Sequence, residues 1–74
     1  MTYQLTKHHS LTIETVWFDW TTGNWSLSYI IRDTLTKSEK KDTYCFDRWF
    51  ASPKENAQFI SDKFCENYKG KMLL

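Results

Sequence analysis

Between Leu11 and Trp20, and again between Trp25 and Arg32, β-branched and aromatic residues dominate, and large apolar side chains recur at alternate positions. That period of two belongs to strands with one buried face. The two segments flank Thr21-Thr22-Gly23-Asn24, and Gly23 supplies the positive φ that a tight connection demands. The pattern therefore predicts a hairpin of strands at 11–20 and 25–35. Tyr3 and Leu5 alternate with Thr2, Gln4 and Thr6, which adds an edge strand at 2–6. Residues 33–42 are strongly polar and read as a long connection with strand character as far as 35. Thr43-Tyr44-Cys45-Phe46 is a short third strand. In the connector 47–50, Trp49 and Phe50 are expected to plug the junction between sheet and helix.

The pattern then changes period. Ala57, Ile60, Phe64 and Tyr68 recur at helical spacing, and Phe59 and Cys65 widen the stripe. Ser52-Pro53-Lys54-Glu55 has the form of a capping box with proline at the first helical position, so a helix is expected over 53–69. Gly70 is placed to end it. Together these elements predict an α+β fold: an antiparallel sheet of three strands, four with residues 2–6, packed against one C-terminal helix in a single domain, 1–74. The expected core is Val16, Phe18, Leu27, Tyr29, Ile31, Phe46, Ala57, Ile60 and Phe64.

Hairpin register decides which aromatics are left over. A three-residue loop sets Trp20 against Asn24 and Trp17 against Leu27. A two- or four-residue loop sets Trp20 against Trp25, Phe18 against Leu27 and Val16 against Tyr29. The second separates apolar from polar more cleanly and is preferred. It gathers Val16, Phe18, Trp20, Trp25, Leu27, Tyr29 and Ile31 on one face, and leaves Ile13, Thr15, Trp17, Ser26, Ser28, Ile30 and Arg32 on the other.

Composition narrows the function. Seventy-four residues make a small core, and an aromatic content of 18% reinforces it. A net charge of +1 counts against a protein built to grip duplex phosphate. The polar start Thr2–His9 does not read as a secretory leader, and no apolar run is long enough to span a bilayer, so a cytoplasmic protein with reduced thiols is expected.

Candidate chemistry is sparse. His8-His9 with Cys45 and Cys65 lacks any paired ligand spacing, so the histidines read as exposed loop residues and the cysteines as small buried hydrophobes; no metal or cofactor is expected. The carboxylates Glu14, Asp19, Asp33 and Asp42 read as solvated, and two glycines make no phosphate loop. A non-enzymatic protein follows, one that acts by binding.

A sheet with two partly apolar faces and one helix leaves aromatic surface without a cover, and Trp, Tyr and Arg are frequent interface anchors. Trp17, Arg32, Lys37, Lys40 and Lys41 are the expected contact residues for a larger host protein. The alternative is a single-stranded nucleic-acid binder that stacks bases beside these cations and Arg48. An exposed sheet face or edge also allows a homodimer. In size and composition the chain resembles the small inhibitors encoded by phages and mobile elements, anti-CRISPR and anti-restriction proteins among them. That resemblance implies a stoichiometric blocker of a host enzyme and carries over no functional residue.

Overall fold

The computed structural model describes residues 1–47 and 50–72. Strands β1 (Thr2–Gln4), β2 (His9–Asp19), β3 (Asn24–Asp33) and β4 (Ser38–Cys45) precede helix α1 (Ala57–Met72). The strands form one antiparallel sheet in the order β1-β2-β3-β4, and α1 lies across one face of it. This is the expected α+β architecture in its four-stranded form. No helix among the described residues is long and apolar enough to cross a membrane.

The hairpin takes neither anticipated register. Asp19 pairs with Asn24, Phe18 with Trp25 and Val16 with Leu27. Asp19 closes the turn itself: its carboxylate accepts the Thr21 amide at 2.9 Å, and its carbonyl accepts the Gly23 amide at 2.8 Å. Gly23 takes a φ of 75°. Trp20 is thereby expelled from the strand into a four-residue loop. A displacement of two residues preserves facing, so Val16, Phe18, Trp25, Leu27, Tyr29 and Ile31 still share the helix side.

Ile13 does not follow the expectation. The ladder slips between Ile13 and Thr15, with Glu14 as the extra residue of a β-bulge. The slip resets the alternation and turns Leu11 and Ile13 toward the helix, where both are buried. Glu14 itself points away and reaches Lys41 at 3.2 Å.

The polar stretch 33–42 is a strand, not a long connection. Only residues 34–37 form the turn: the Asp33 carboxylate accepts the Leu35 amide at 2.9 Å, and Lys37 takes the left-handed conformation at φ 57°. From Ser38 the chain pairs residue by residue with β3. All eight β4 residues are exposed, so no apolar alternation marks them.

The helix begins later than its apparent signature. The Ser52 carbonyl accepts the Glu55 amide and the Trp25 indole N–H, each at 3.0 Å, while the Ser52 hydroxyl accepts the Lys54 amide at 3.1 Å. These bonds make a turn of 52–55. Asn56 is the true cap: its side-chain oxygen accepts the Phe59 amide at 2.8 Å. Gly70 does not stop the helix, which runs on through Lys69 and Lys71; these two cations suit its C-terminal end.

The buried core comprises Leu5, Leu11, Ile13, Trp25, Leu27, Phe46, Ile60 and Phe64, with Val16, Phe18, Tyr29 and Ile31 packed against it. Ala57, expected inside, is the first helical residue and is exposed. The helix buries Ile60, Ser61 and Phe64 instead, and Tyr3 ties β1 to it by donating its hydroxyl proton to Asp62 at 3.0 Å. Trp49, expected at the sheet–helix junction, and Arg48 lie outside the described residues; Phe50 does fill that junction, stacked on Phe46 at 4.4 Å.

Candidate functional site

The sheet face away from α1 carries Thr2, Thr12, Thr15, Trp17, Ser28, Ile30, Arg32, Lys41, Thr43 and Cys45 by strand alternation and register. No described element covers it. Three of the anticipated contact residues are here. Trp17 is 39% exposed and sits opposite Ser26 at the turn end. Arg32 lies six residues further along β3, about 20 Å away at ordinary strand rise. Lys41 lies between them, opposite Ile30. Lys40 falls on the helix side, opposite Ile31, and Lys37 stands at the β3–β4 turn. The five do not converge on one patch.

Two of their charges are also compensated. The Arg32 guanidinium is 3.4 Å from Glu39, and the Lys41 ammonium is 3.2 Å from Glu14. A track for a nucleic-acid backbone needs cations free to displace counterions, and two of these already face a carboxylate.

A different assembly forms at the opposite end from the β3–β4 turn. The β2–β3 loop, the 50–55 turn and the first turn of α1 meet around an open cleft of about 690 Å³. Phe18, Gly23, Phe50, Ala51, Pro53 and Phe59 line it, with Ser52 and Glu55. Each element is held there by a bond already described. Asp19 closes the loop, the Trp25 indole fixes Ser52, and the Asn56 side chain holds the Phe59 amide in the first helical turn. Phe18 meets Trp20 edge-on at 4.8 Å and Trp25 edge-on at 5.4 Å, so the ring ladder runs from core to surface. At its outer end Trp20 is 78% exposed, and Phe59 across the cleft is 37% exposed. Among the described residues, Glu55 is the one ionisable residue in the lining. The lining is mainly apolar and suits apolar groups.

A second groove, about 380 Å³, lies between β4 and the C-terminal half of α1 and is lined by Tyr29, Tyr44, Phe46, Phe64, Tyr68 and Lys71, among others. Burial raises the Tyr29 hydroxyl above its ordinary pKa, with Tyr68, Asp42 and Tyr44 adding to the effect. These tyrosines pack on Phe64 at 4.9 to 5.8 Å and largely complete the core.

The candidate chemistry remains scattered. His9 is half-buried rather than exposed, bonded to Thr6 at 2.8 Å and Asp33 at 3.3 Å, and it joins the β1–β2 and β3–β4 turns. Cys45 is exposed, contrary to expectation, because β4 is an edge strand, and it accepts a bond from Ser26 at 3.4 Å. Cys65 is half-buried on α1, and burial pushes its thiol up. No cluster of three His, Cys, Asp or Glu residues among the described residues is placed to hold a metal ion.

Comparison with known protein families, with curated proteins and with solved structures finds no match to this chain.

Proposed function

We propose that this protein acts without catalysis, as a stoichiometric binding module for a larger protein, and that the aromatic cleft at the β2–β3 loop is its anchor. One observation carries the reading: Trp20, the most exposed large apolar side chain among the described residues, stands beside a cleft already walled by Phe18, Phe50 and Phe59. Exposed tryptophan next to an apolar recess is the composition of an interface hot spot. Water contact with such a surface is unfavourable by roughly 25 cal/mol per Å², and a partner that inserts an apolar side chain removes it. Size, near-neutral charge and compact aromatic core suit a blocker or adaptor of a host enzyme, of the type phages and mobile elements encode. The surface around Trp17 then serves as a flank of the contact.

The test is affinity capture on immobilised protein at high salt with nuclease present, comparing wild type, Trp20→Ala and Trp17→Ala. Retention of one stoichiometric protein by wild type and Trp17→Ala, and its loss with Trp20→Ala, supports the reading. Capture indifferent to Trp20→Ala sinks the anchor assignment. Recovery of nucleic acid alone, at low salt without nuclease, sinks the protein-binding reading.

A further inference from the structure

Strand β4 presents an open edge, and its sequence fits a second copy of itself. The Phe46 amide donates to the Trp25 carbonyl at 2.8 Å, which fixes the phase of the β3–β4 ladder. Main-chain groups alternate along an antiparallel strand, so those of Ser38, Lys40, Asp42 and Tyr44 point toward β3. Those of Glu39, Lys41, Thr43 and Cys45 point outward. The Thr43 amide makes this visible, since the Asp42 carboxylate takes it at 2.8 Å. No proline, bulge or covering element protects this edge among the described residues.

We propose that two copies pair antiparallel through β4, about a twofold axis at Lys41, to make a continuous eight-stranded sheet with both helices on one side. A twofold axis perpendicular to the sheet keeps facing, so each residue meets one whose number differs by an even amount. Three such registers lie near the centre of the strand. Centring on Asp42 sets two carboxylates against each other. Centring on Lys40 sets together two ammonium groups that have no carboxylate partner among the described residues. Centring on Lys41 also brings a like pair together, but each Lys41 already carries its own Glu14 at 3.2 Å. In that register Lys40 faces Asp42 of the second copy, twice over, on the helix side. Glu39 faces Thr43 of the second copy with main-chain groups on the bonding side. The Asp42 carboxylate, which takes the Thr43 amide in the single chain, turns to Lys40 of the second copy and releases that amide to the Glu39 carbonyl. The turn residue Leu35, 71% exposed, is carried toward the Phe46 end of the other copy, and Tyr44 toward its turn. Edge lysines ordinarily repel a like edge; here the alternation Glu39-Lys40-Lys41-Asp42 makes the edge self-complementary in one register. This inference is independent of the aromatic cleft, which lies at the far end of the sheet's long axis.

Sedimentation equilibrium from about 1 μM to about 1 mM is the experiment, because edge pairing buries less than the roughly 1,000 Å² of a stable interface and predicts a weak dimer. Wild type is expected to dimerise within that range. Lys40→Asp or Asp42→Lys alone should weaken association at least about tenfold, and the double reversal should restore it. In wild type, the Glu39 and Lys41 amides, which point outward and have no acceptor among the described residues, should exchange more slowly as concentration rises. A monomer throughout, a dimer indifferent to both reversals, a double variant that fails to recover, or amide exchange independent of concentration would each overturn the proposal.

Discussion

Replacing Trp25 with phenylalanine isolates the bond that ties the 52–55 turn to the sheet. Trp25 is buried, and its indole N–H donates to the Ser52 carbonyl at 3.0 Å. Phenylalanine keeps a ring against Phe18 but removes that donor. A lost hydrogen bond costs about 1 kcal/mol when the remaining partner stays satisfied, and Ser52 still has the Glu55 amide at 3.0 Å. The smaller ring leaves a void of roughly 40 Å³, worth about 1 kcal/mol more at ~24 cal/mol per Å³. The expected loss is therefore about 2 kcal/mol. For a domain of this size that lowers Tm by roughly 8–16 °C. Thermal and urea unfolding followed by circular dichroism measure it, and Glu55 amide exchange should speed up as the 52–55 turn loosens. A loss under about 0.5 kcal/mol, or an unchanged Glu55 amide, would refute this account of the turn.

Other perturbations probe separate links. Deleting Glu14 removes the bulge but sets Ile13 beside Thr15 in plain alternation, so Leu11 and Ile13 still face the helix opposite Ile31 and Tyr29; cooperative urea unfolding should survive, with a loss of no more than about 1 kcal/mol from the Glu14–Lys41 ion pair. Asn56→Ala should cost about 1 kcal/mol and fray the first helical turn, seen as faster Phe59 exchange, whereas Ser52→Ala should leave the helix intact. Acid should loosen the β3–β4 turn. Partial desolvation pushes the Asp33 carboxyl up, but the Leu35 and Thr36 amides and the His9 imidazole outweigh it and hold the folded value below 3.8. A depressed folded value means that the contribution is present above about pH 4 and is lost as pH falls through the folded value. In Asp33→Asn, that part of the acid dependence should disappear from a stability–pH profile.

The long hairpin was legible because its apolar period survives any even shift of register: Phe18, Leu27 and Ile31 face the helix whether the loop closes at Asp19 or Trp20. The helix stripe Ile60-Phe64-Tyr68 was legible for the same kind of reason. What failed depended on groups distant in sequence. Glu14 looks like one more polar position in an alternating strand, and only its pairing against β3 makes it a bulge. Ser52 has the residues of a cap, but the Trp25 indole, 27 residues away, takes its carbonyl. Strand β4 is exposed on both faces and carries no period at all. Trp17 and the basic residues stand out one by one in the sequence, but it does not show that Arg32 meets Glu39 from the adjacent strand or that Lys41 meets Glu14 from two strands away. The cleft was invisible because a loop, a turn and a helix end contribute to it from three stretches of chain.

The most direct measurement is the affinity of the captured partner for wild type and for Trp20→Ala, made beside the unfolding free energy of each. Trp20 is 78% exposed, so truncation removes only about 50 Å² of protein contact and should cost the fold roughly 1–1.5 kcal/mol. Loss of a hot-spot tryptophan should cost binding at least about 2 kcal/mol, or roughly thirtyfold in Kd. A folded Trp20→Ala variant with affinity reduced by that much is the predicted result. A folded variant that binds as tightly as wild type would contradict the claim that this cleft is where the protein does its work.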